Sequence, residues 1–218
     1  MADSVDPRRV RTRAALVAAA QTLLVQDRTN VSVLEITRLA GVGLGSYYNH
    51  FDSKESLFAS AIDNVLEMHG LLMDRVTEAI DDPAEVFARA FRLTGRFHRL
   101  IPSASQVLLR RGLELITAPH GLAPRAMRDI ENAVAAGRFS VTDPELAYVA
   151  TAGASLALGQ LLHAQPDRDA ADAADQLAAD LLRMFGIPED EAEEICARPL
   201  PDLDELMAVA LADSGQMS

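Results

Sequence analysis

The chain is expected to be all-α, on three observations. Apolar residues recur at three- and four-residue spacing along most of its length, caps and glycine or proline stops cut it into segments, and no run of alternating β-branched residues competes. Its 218 residues are 49% hydrophobic and 24% charged, enough to bury a core in one or two domains and too apolar for wholesale disorder. No internal repeat is evident.

The elements follow in order. From Arg8 to Gln26, Val17, Ala20 and Leu24 make an amphipathic helix whose start is crowded with arginines. Ser32 with Glu35 three residues on reads as a capping box opening a short helix through Val33, Ile36, Thr37 and Ala40. Gly41 ends it, at a sharp turn that calls for positive φ. A third short segment, Leu44 to His50, precedes Phe51 and a new start at Asp52-Ser53-Lys54-Glu55, from which a long helix runs over about residues 53–80. Asp82, Pro83 and Glu85 combine an N-cap, a first-turn proline and a glutamate to close the box of a fifth helix reaching Leu100. Pro102, Ala118-Pro119-His120-Gly121, Gly137, Asp143-Pro144, Pro166 and Gly186-Ile187-Pro188 divide the remainder into further helical segments.

Charge is uneven. Residues 7–54 hold seven basic and three acidic side chains, a balance of +4. The whole chain is −12, and with Asp3 and Asp6 adding −2, residues 55–218 carry −14. A basic head on an acidic body suits oriented contact with a polyanion, whereas an architectural coat on DNA is disfavoured by the overall negative charge. The single cysteine, Cys196, closes no disulfide within the chain, and there is no CxxC pair for zinc or redox chemistry. The polar start MADSVDPRRVRTR lacks the apolar stretch of a signal peptide, so a cytoplasmic setting is expected. Residues 146–166 carry no Asp, Glu, Lys or Arg and have the length of a membrane span. Thr151, Ser155, Gln160, His163 and Gln165 interrupt them, so a buried helix in close contact with others is expected instead, with no membrane partner.

Two short helices joined by a glycine turn, with a third packed before them, form the plan of a helix-turn-helix, whose second helix enters the major groove. The run VSVLEITRLAGVGLGSYYNHFDSKESLF at residues 31–58 closely resembles the DNA-binding signature of TetR-family transcriptional regulators, over about 50 residues from Arg11 to Ala61. Tyr47, four residues before Phe51, is expected in the small core. By match to family contacts, Tyr48 and His50 are expected at phosphates, and Lys54 at the positive start of the long helix joins them. Ser32 caps its helix and is a further phosphate donor, and Gly45 suits close approach of backbone to DNA. The chain departs from the family pattern at Gly43, where serine is usual, at Thr37, where alanine is usual, and at Leu44, where a basic residue is frequent. Candidates for base edges are therefore Leu44, Ser46 and Asn49. The arginines at the chain start, Arg9 and Arg13 among them, divide between DNA contact and a solvated face.

In the acidic body, Arg89, Arg92, Arg96 and Arg99 form a stripe expected to face water. Phe87, Phe91, Thr94 and His98 form a mostly aromatic face. From the residues alone an ordinary core is the simpler expectation for that face. The family resemblance implies a helical effector pocket there, with Met73, Gln106 and Arg110 as further candidates. Ala150, Gly153, Ala154 and Ala157, with Leu158 and Leu161, give a small-residue face that allows close helix packing, within the chain or between chains. The resemblance implies a homodimer, built from this helix and the one near Asp169 to Phe185.

The expected organisation is thus an N-terminal helix-turn-helix domain at 8–54 (motif about 31–50) and a helical effector-binding and dimerisation domain at 55–187, sharing the long helix. An acidic helical extension at 188–218 follows. The expected function is a ligand-responsive transcriptional regulator, a repressor of a palindromic DNA operator released by a small, largely hydrophobic effector. The alternative is a helical enzyme or small-molecule carrier retaining a helix-turn-helix. Against an enzyme, the sequence has no Glu-x-x-His carboxylate set, no GxSxG, no phosphate-binding loop and no dinucleotide fingerprint, and neither a cofactor nor a metal is expected.

Overall fold

The computed structural model describes residues 6–26 and 28–201, and among them every regular element is helical. The helices are α1 Pro7–Val25, α2 Val33–Leu39, α3 Leu44–Tyr48, α4 Lys54–Thr77, α5 Pro83–Leu100, α6 Pro102–Arg111, α7 Leu122–Ala135, α8 Pro144–Ala164, α9 Ala170–Met184 and α10 Glu189–Ala197. A short 3-10 helix, Gly112–Leu115, follows α6.

Helices α1 to α3 close over the first turns of α4 around Leu16, Leu23, Ile36, Tyr47, Leu57 and Ile62, all fully buried. Gly41 turns the chain between α2 and α3 at φ +67°, as its position requires. The box expected at Ser32 is half-made. Ser32 Oγ accepts from the Glu35 amide at 3.2 Å, but the Glu35 carboxylate turns to Arg28. A reciprocal box forms at the start of α4, between Ser53 and Ser56. Likewise Asp82 caps α5 through the Ala84 amide at 3.0 Å while Glu85 pairs with Arg89 and Arg198, leaving that box open. Buried Thr37 satisfies its hydroxyl on the Leu34 carbonyl at 3.0 Å, which lets it stand where a smaller apolar residue is usual.

The body is organised around α5, which is buried on several sides. Phe87 packs edge-on to Phe139 and Phe185, with ring centroids 5.4 and 5.5 Å away. The arginine stripe does not face water as a whole. Arg92 is only 5% exposed, and it and Arg96 both grip Asp175 of α9 at 2.7–3.1 Å. The physical reason is the small-residue contact between α5 and α9. A Cβ at Gly95 would lie 2.5 Å from that of Ala174, so the helices approach closely there and the flanking arginines reach Asp175. Arg99 crosses to the carbonyls of Gln165, Pro166 and Arg168, pinning the turn between α8 and α9. Arg89 pairs with Glu85 one turn away and also reaches the Val76 carbonyl of α4, so it too is drawn into the protein.

The segment beyond residue 188 is not a mere extension. Ala192, Ile195 and Cys196 of α10 are buried in the same core as Phe87 and Phe185, while residues 202–218 lie outside those described. Helix α8 is long and apolar enough to cross a membrane by length and composition, yet it buries Tyr148, Leu158 and Leu162 inside the protein. Helix α4 links head and body, its 24 residues making a rod of about 36 Å. Helix α6 is a second link, because Leu108 packs into the core that contains Leu16 and Leu57.

Candidate DNA interface and effector pocket

Helix α3 presents its outer side. Leu44 is 47% and Tyr48 59% exposed, and Gly43, Gly45 and Asn49 are exposed with them, while Ser46 is half-buried. A Cβ at Gly45 would meet nothing within 4 Å, so no neighbour inside the protein requires glycine there. Tyr47 points inward instead, fully buried, with its hydroxyl donating to the Ser53 carbonyl at 2.9 Å. Tyr48 stands edge-on to it at 5.3 Å with its own hydroxyl end outward.

The start of α1 borders α3, and Arg9 and Thr12 line a polar groove with Ser46, Asn49 and His50. Desolvation, then the charges of Arg9 and Arg13, hold His50 below its ordinary pKa, so in the free protein it favours the neutral imidazole at pH 7. Arg13 is partly committed to the protein, its guanidinium 5.3 Å over the Phe51 ring and 3.2 Å from Ser60 Oγ. Lys54 folds back so that Nζ donates to the Val31 carbonyl at 3.0 Å, which brings its charge beside Ser32, the cap of α2. An ammonium has three donors, so two remain for an anion.

In the body, α4, α5, α7 and α8, with Leu108 of α6 and residues 115–120, line a cavity of about 150 Å³ with mostly apolar walls. Of the residues expected there, Met73, Phe87, Phe91, Thr94 and His98 line it. Gln106 and Arg110 do not: both are exposed on α6, whose inward side carries Ser105 and Leu108. The helix is rotated by about one residue, roughly 100°, from the orientation those two positions assumed. His98 Nδ1 lies 2.7 Å from Ser105 Oγ, itself 2.9 Å from His163 Nε2. Burial pushes His98 down to about 4, an effect the Ser155 backbone opposes and the His163 charge reinforces. His69, on the inner side of α4, is also held at about 4 by burial and then by the charge of His98. Both imidazoles are neutral at physiological pH.

Sequence reading missed the polar end of the cavity. Asp74, Arg125 and Asp129 line it, joined by Arg128 behind them. Asp74 accepts from Arg125 Nε at 2.8 Å and from Arg128 Nη2 at 2.7 Å. Both bonds from Arg128 to Asp129 fall on Oδ1, at 3.1 and 2.9 Å. Burial pushes the Asp129 carboxyl up against the opposing pull of Arg128. Arg125 also holds Glu67 at 2.7 Å and the Gly121 carbonyl at 2.8 Å. Its side chain lies in a notch on α4 made by Gly70, where a Cβ would approach Cδ and Nη1 to 2.8 Å. The helical spacing of Arg125, Arg128 and Asp129 was the available signal, but nothing local paired it with Asp74.

The expected dimerisation residues separate. Leu158 is buried within the chain against Ala173 and Ala174 of α9, because the small residues of α9 leave room for it, and Ala154 packs partly on the main core. Ala150 is half-buried, Gly153 has nothing within 4 Å of a built Cβ, and Ala157 and Leu161 are exposed. Leu146, 65% exposed, and Val149 extend this open strip along α8.

The profile described as "Bacterial regulatory proteins, tetR family" matches residues 15–61, and that of "Tetracyclin repressor-like, C-terminal domain" matches residues 82–198. The chain belongs to the TetR family of transcriptional regulators. Among solved structures it is similar to RolR in complex with the ligand resorcinol, at 35% identity over 90% of this chain and 98% of that chain, with a TM-score of 0.71. RolR without ligand matches at 32% identity over 87% and 98%, with a TM-score of 0.68. A TetR-family regulator of Pectobacterium atrosepticum shares the fold at 20% identity over 83% and 95%, with a TM-score of 0.64. Among curated proteins, none is similar to the chain. A TetR-family chain with this pocket is a ligand-responsive DNA-binding regulator, and the all-α architecture expected from sequence is the one observed.

Proposed function

We propose that the protein is a homodimeric repressor, released from a palindromic operator by a small, neutral, hydroxylated aromatic effector. The observation that carries this reading is the cavity itself: apolar walls ending in the cluster of Asp74, Arg125 and Asp129. A cavity near 150 Å³ accommodates one benzene-sized molecule. Glu67, Asp74 and Asp129 face Arg125 and Arg128, three acids against two bases, so the cluster leaves no surplus positive charge for a carboxylate ligand. Asp129 Oδ2, which takes neither Arg128 bond, suits a phenolic donor, and Arg125 suits the phenol's lone pairs. The binding of resorcinol by RolR, 35% identical, supports the same ligand class.

Residues 8–54 form the proposed DNA-binding unit and 55–187 the effector and dimer unit. Tyr48, His50, Lys54 and Ser32 take phosphates and Leu44, Ser46 and Asn49 base edges, with Gly43 and Gly45 allowing close approach and Arg9 and Arg13 flanking. The open strip Leu146, Val149, Gly153, Ala157 and Leu161 is the proposed dimer face, since a contiguous apolar surface of this kind marks an interaction site. The test is selection of bound duplexes from a random pool, with release by phenols. Enrichment of an inverted repeat that phenol or a benzenediol dissociates is expected; enrichment of no sequence overturns the reading.

A further inference from the structure

The cavity contains a second polar place, away from Asp74, Arg125 and Asp129. His69 of α4 and Thr94 of α5 meet there, with Nε2 and Oγ1 3.1 Å apart, and both line the cavity. The Phe97 ring lies 5.2 Å from the imidazole and fixes its other side. Thr94 is half-buried while Phe91, Leu93, Gly95 and Phe97 around it are buried, and it lines the cavity.

The pair has unused bonding capacity. A threonine hydroxyl offers one donor and two acceptor lone pairs, and a neutral imidazole nitrogen facing it consumes one of these. Whichever tautomer His69 adopts, Thr94 keeps at least one acceptor position, and it keeps its donor too when the imidazole is the one that donates. Burial keeps His69 uncharged, so this place favours a neutral polar group over an anion.

Spacing then restricts the ligand. His69 and Asp74 are five residues apart on α4, about 7.5 Å along the helix axis. Buried Met73 and the rings of Phe87 and Phe91 form apolar wall of the same cavity. Polar places more than a helical turn apart along α4 favour a ring whose two polar substituents stand on non-adjacent carbons.

We propose that Thr94, positioned by His69, is a second hydrogen-bonding anchor of the effector pocket, selecting single-ring compounds with polar groups at meta- or para-related positions over monophenols and catechols. This rests on the aromatic-effector reading above. The experiment is calorimetric titration of the full-length protein with phenol and with 1,2-, 1,3- and 1,4-dihydroxybenzene. Wild type should bind the 1,3- or 1,4-compound about tenfold more tightly than phenol or the 1,2-compound, the scale of one buried hydrogen bond. Thr94→Val should bring that preference to within about twofold, by weakening the 1,3- or 1,4-compound more than phenol, and Thr94→Ser should keep it. For the positioning role of His69, His69→Gln should retain the preference and His69→Leu should lose it. An undiminished preference in Thr94→Val, an equal loss of phenol affinity in that variant, or a wild type that prefers phenol would overturn the proposal. If no compound of the series binds wild type, the aromatic-effector reading itself fails, and this anchor with it.

Discussion

Gly70→Ala separates the effector site from the stability of the fold. A methyl at residue 70 would lie 2.8 Å from Cδ and Nη1 and 2.9 Å from Cζ of Arg125. Ordinary carbon contacts are about 3.5–4.0 Å, so the arginine must move by roughly 0.7 Å or more. Its bonds to Glu67, Asp74 and the Gly121 carbonyl, at 2.7–2.8 Å, are lengthened or re-made as the flexible side chain shifts, which displaces the guanidinium from its place in the cavity wall. The ion pairs are partly exposed, with Glu67 and Asp74 side chains 42% and 33% accessible, so each contributes at most about 1 kcal/mol. Alanine recovers about 1 kcal/mol over glycine inside a helix. The net cost is at most about 1 kcal/mol, and the melting temperature should fall by no more than about 4 °C. Effector binding has no such compensation. Loss of one charged hydrogen bond to the ligand costs about 1.5–3 kcal/mol, or roughly 10- to 150-fold in Kd. Thermal melting beside titration with 1,3-dihydroxybenzene measures both. A variant with normal stability and wild-type affinity would remove Arg125 from the effector site.

Asp175→Ala should destabilise the body by about 3 kcal/mol or more, since it strands buried Arg92, whereas Asp180→Ala on the exposed side of α9 should cost under about 0.5 kcal/mol. Burial opposes ionisation of Asp175, but bonds from Arg92 and Arg96 outweigh it and hold the carboxyl below its ordinary value. Its contribution is therefore present above the unfolded value of about 3.9 and lost as pH falls below it. The gap between the urea midpoints of wild type and Asp175→Ala should narrow as pH falls below about 3.9, and a constant gap would refute the assignment. His50 is lowered in the free protein by desolvation, Arg9 and Arg13, and a phosphate would raise it, so operator binding should take up protons and tighten as pH falls from 8 towards about 6. An unchanged pH dependence in His50→Gln would exclude this contact. Gly153→Leu should keep the helical fold by circular dichroism, because nothing within the chain lies within 4 Å of a built Cβ, yet raise the dimer dissociation constant measured by sedimentation. An unaltered constant would place the dimer face elsewhere.

The head was readable from local signals: the cap at Ser32, the glycine at 41 and the break before Lys54 each act within a few residues. Helix α5 was equally legible at both ends, from Asp82-Pro83 to Leu100, and its periodicity exposed the Phe87, Phe91, Thr94 and His98 face. The polar end of the pocket was hidden because Arg125 meets its partners across 51 and 58 residues of sequence, a pairing set by how α4 and α7 cross. Gln106 and Arg110 misled for a related reason, since the packing of Leu108 and the bonds of Ser105 to His98 and His163 fix the rotation of α6. The arginine stripe was visible, but its direction depended on Asp175 within the alanine-rich α9, far along the chain.

The central claim is that one molecule binds DNA through α3 and an aromatic effector beside α4, and that the two events oppose each other. Helices α4 and α6 both join the cavity walls to the head, which gives the coupling a physical route. The decisive measurement is titration of the protein with 1,3-dihydroxybenzene, alone and saturated with the selected operator duplex. Operator should weaken the ligand by about 5- to 150-fold, and by reciprocity saturating ligand should weaken operator by the same factor. Equal ligand affinities in the two titrations would contradict it.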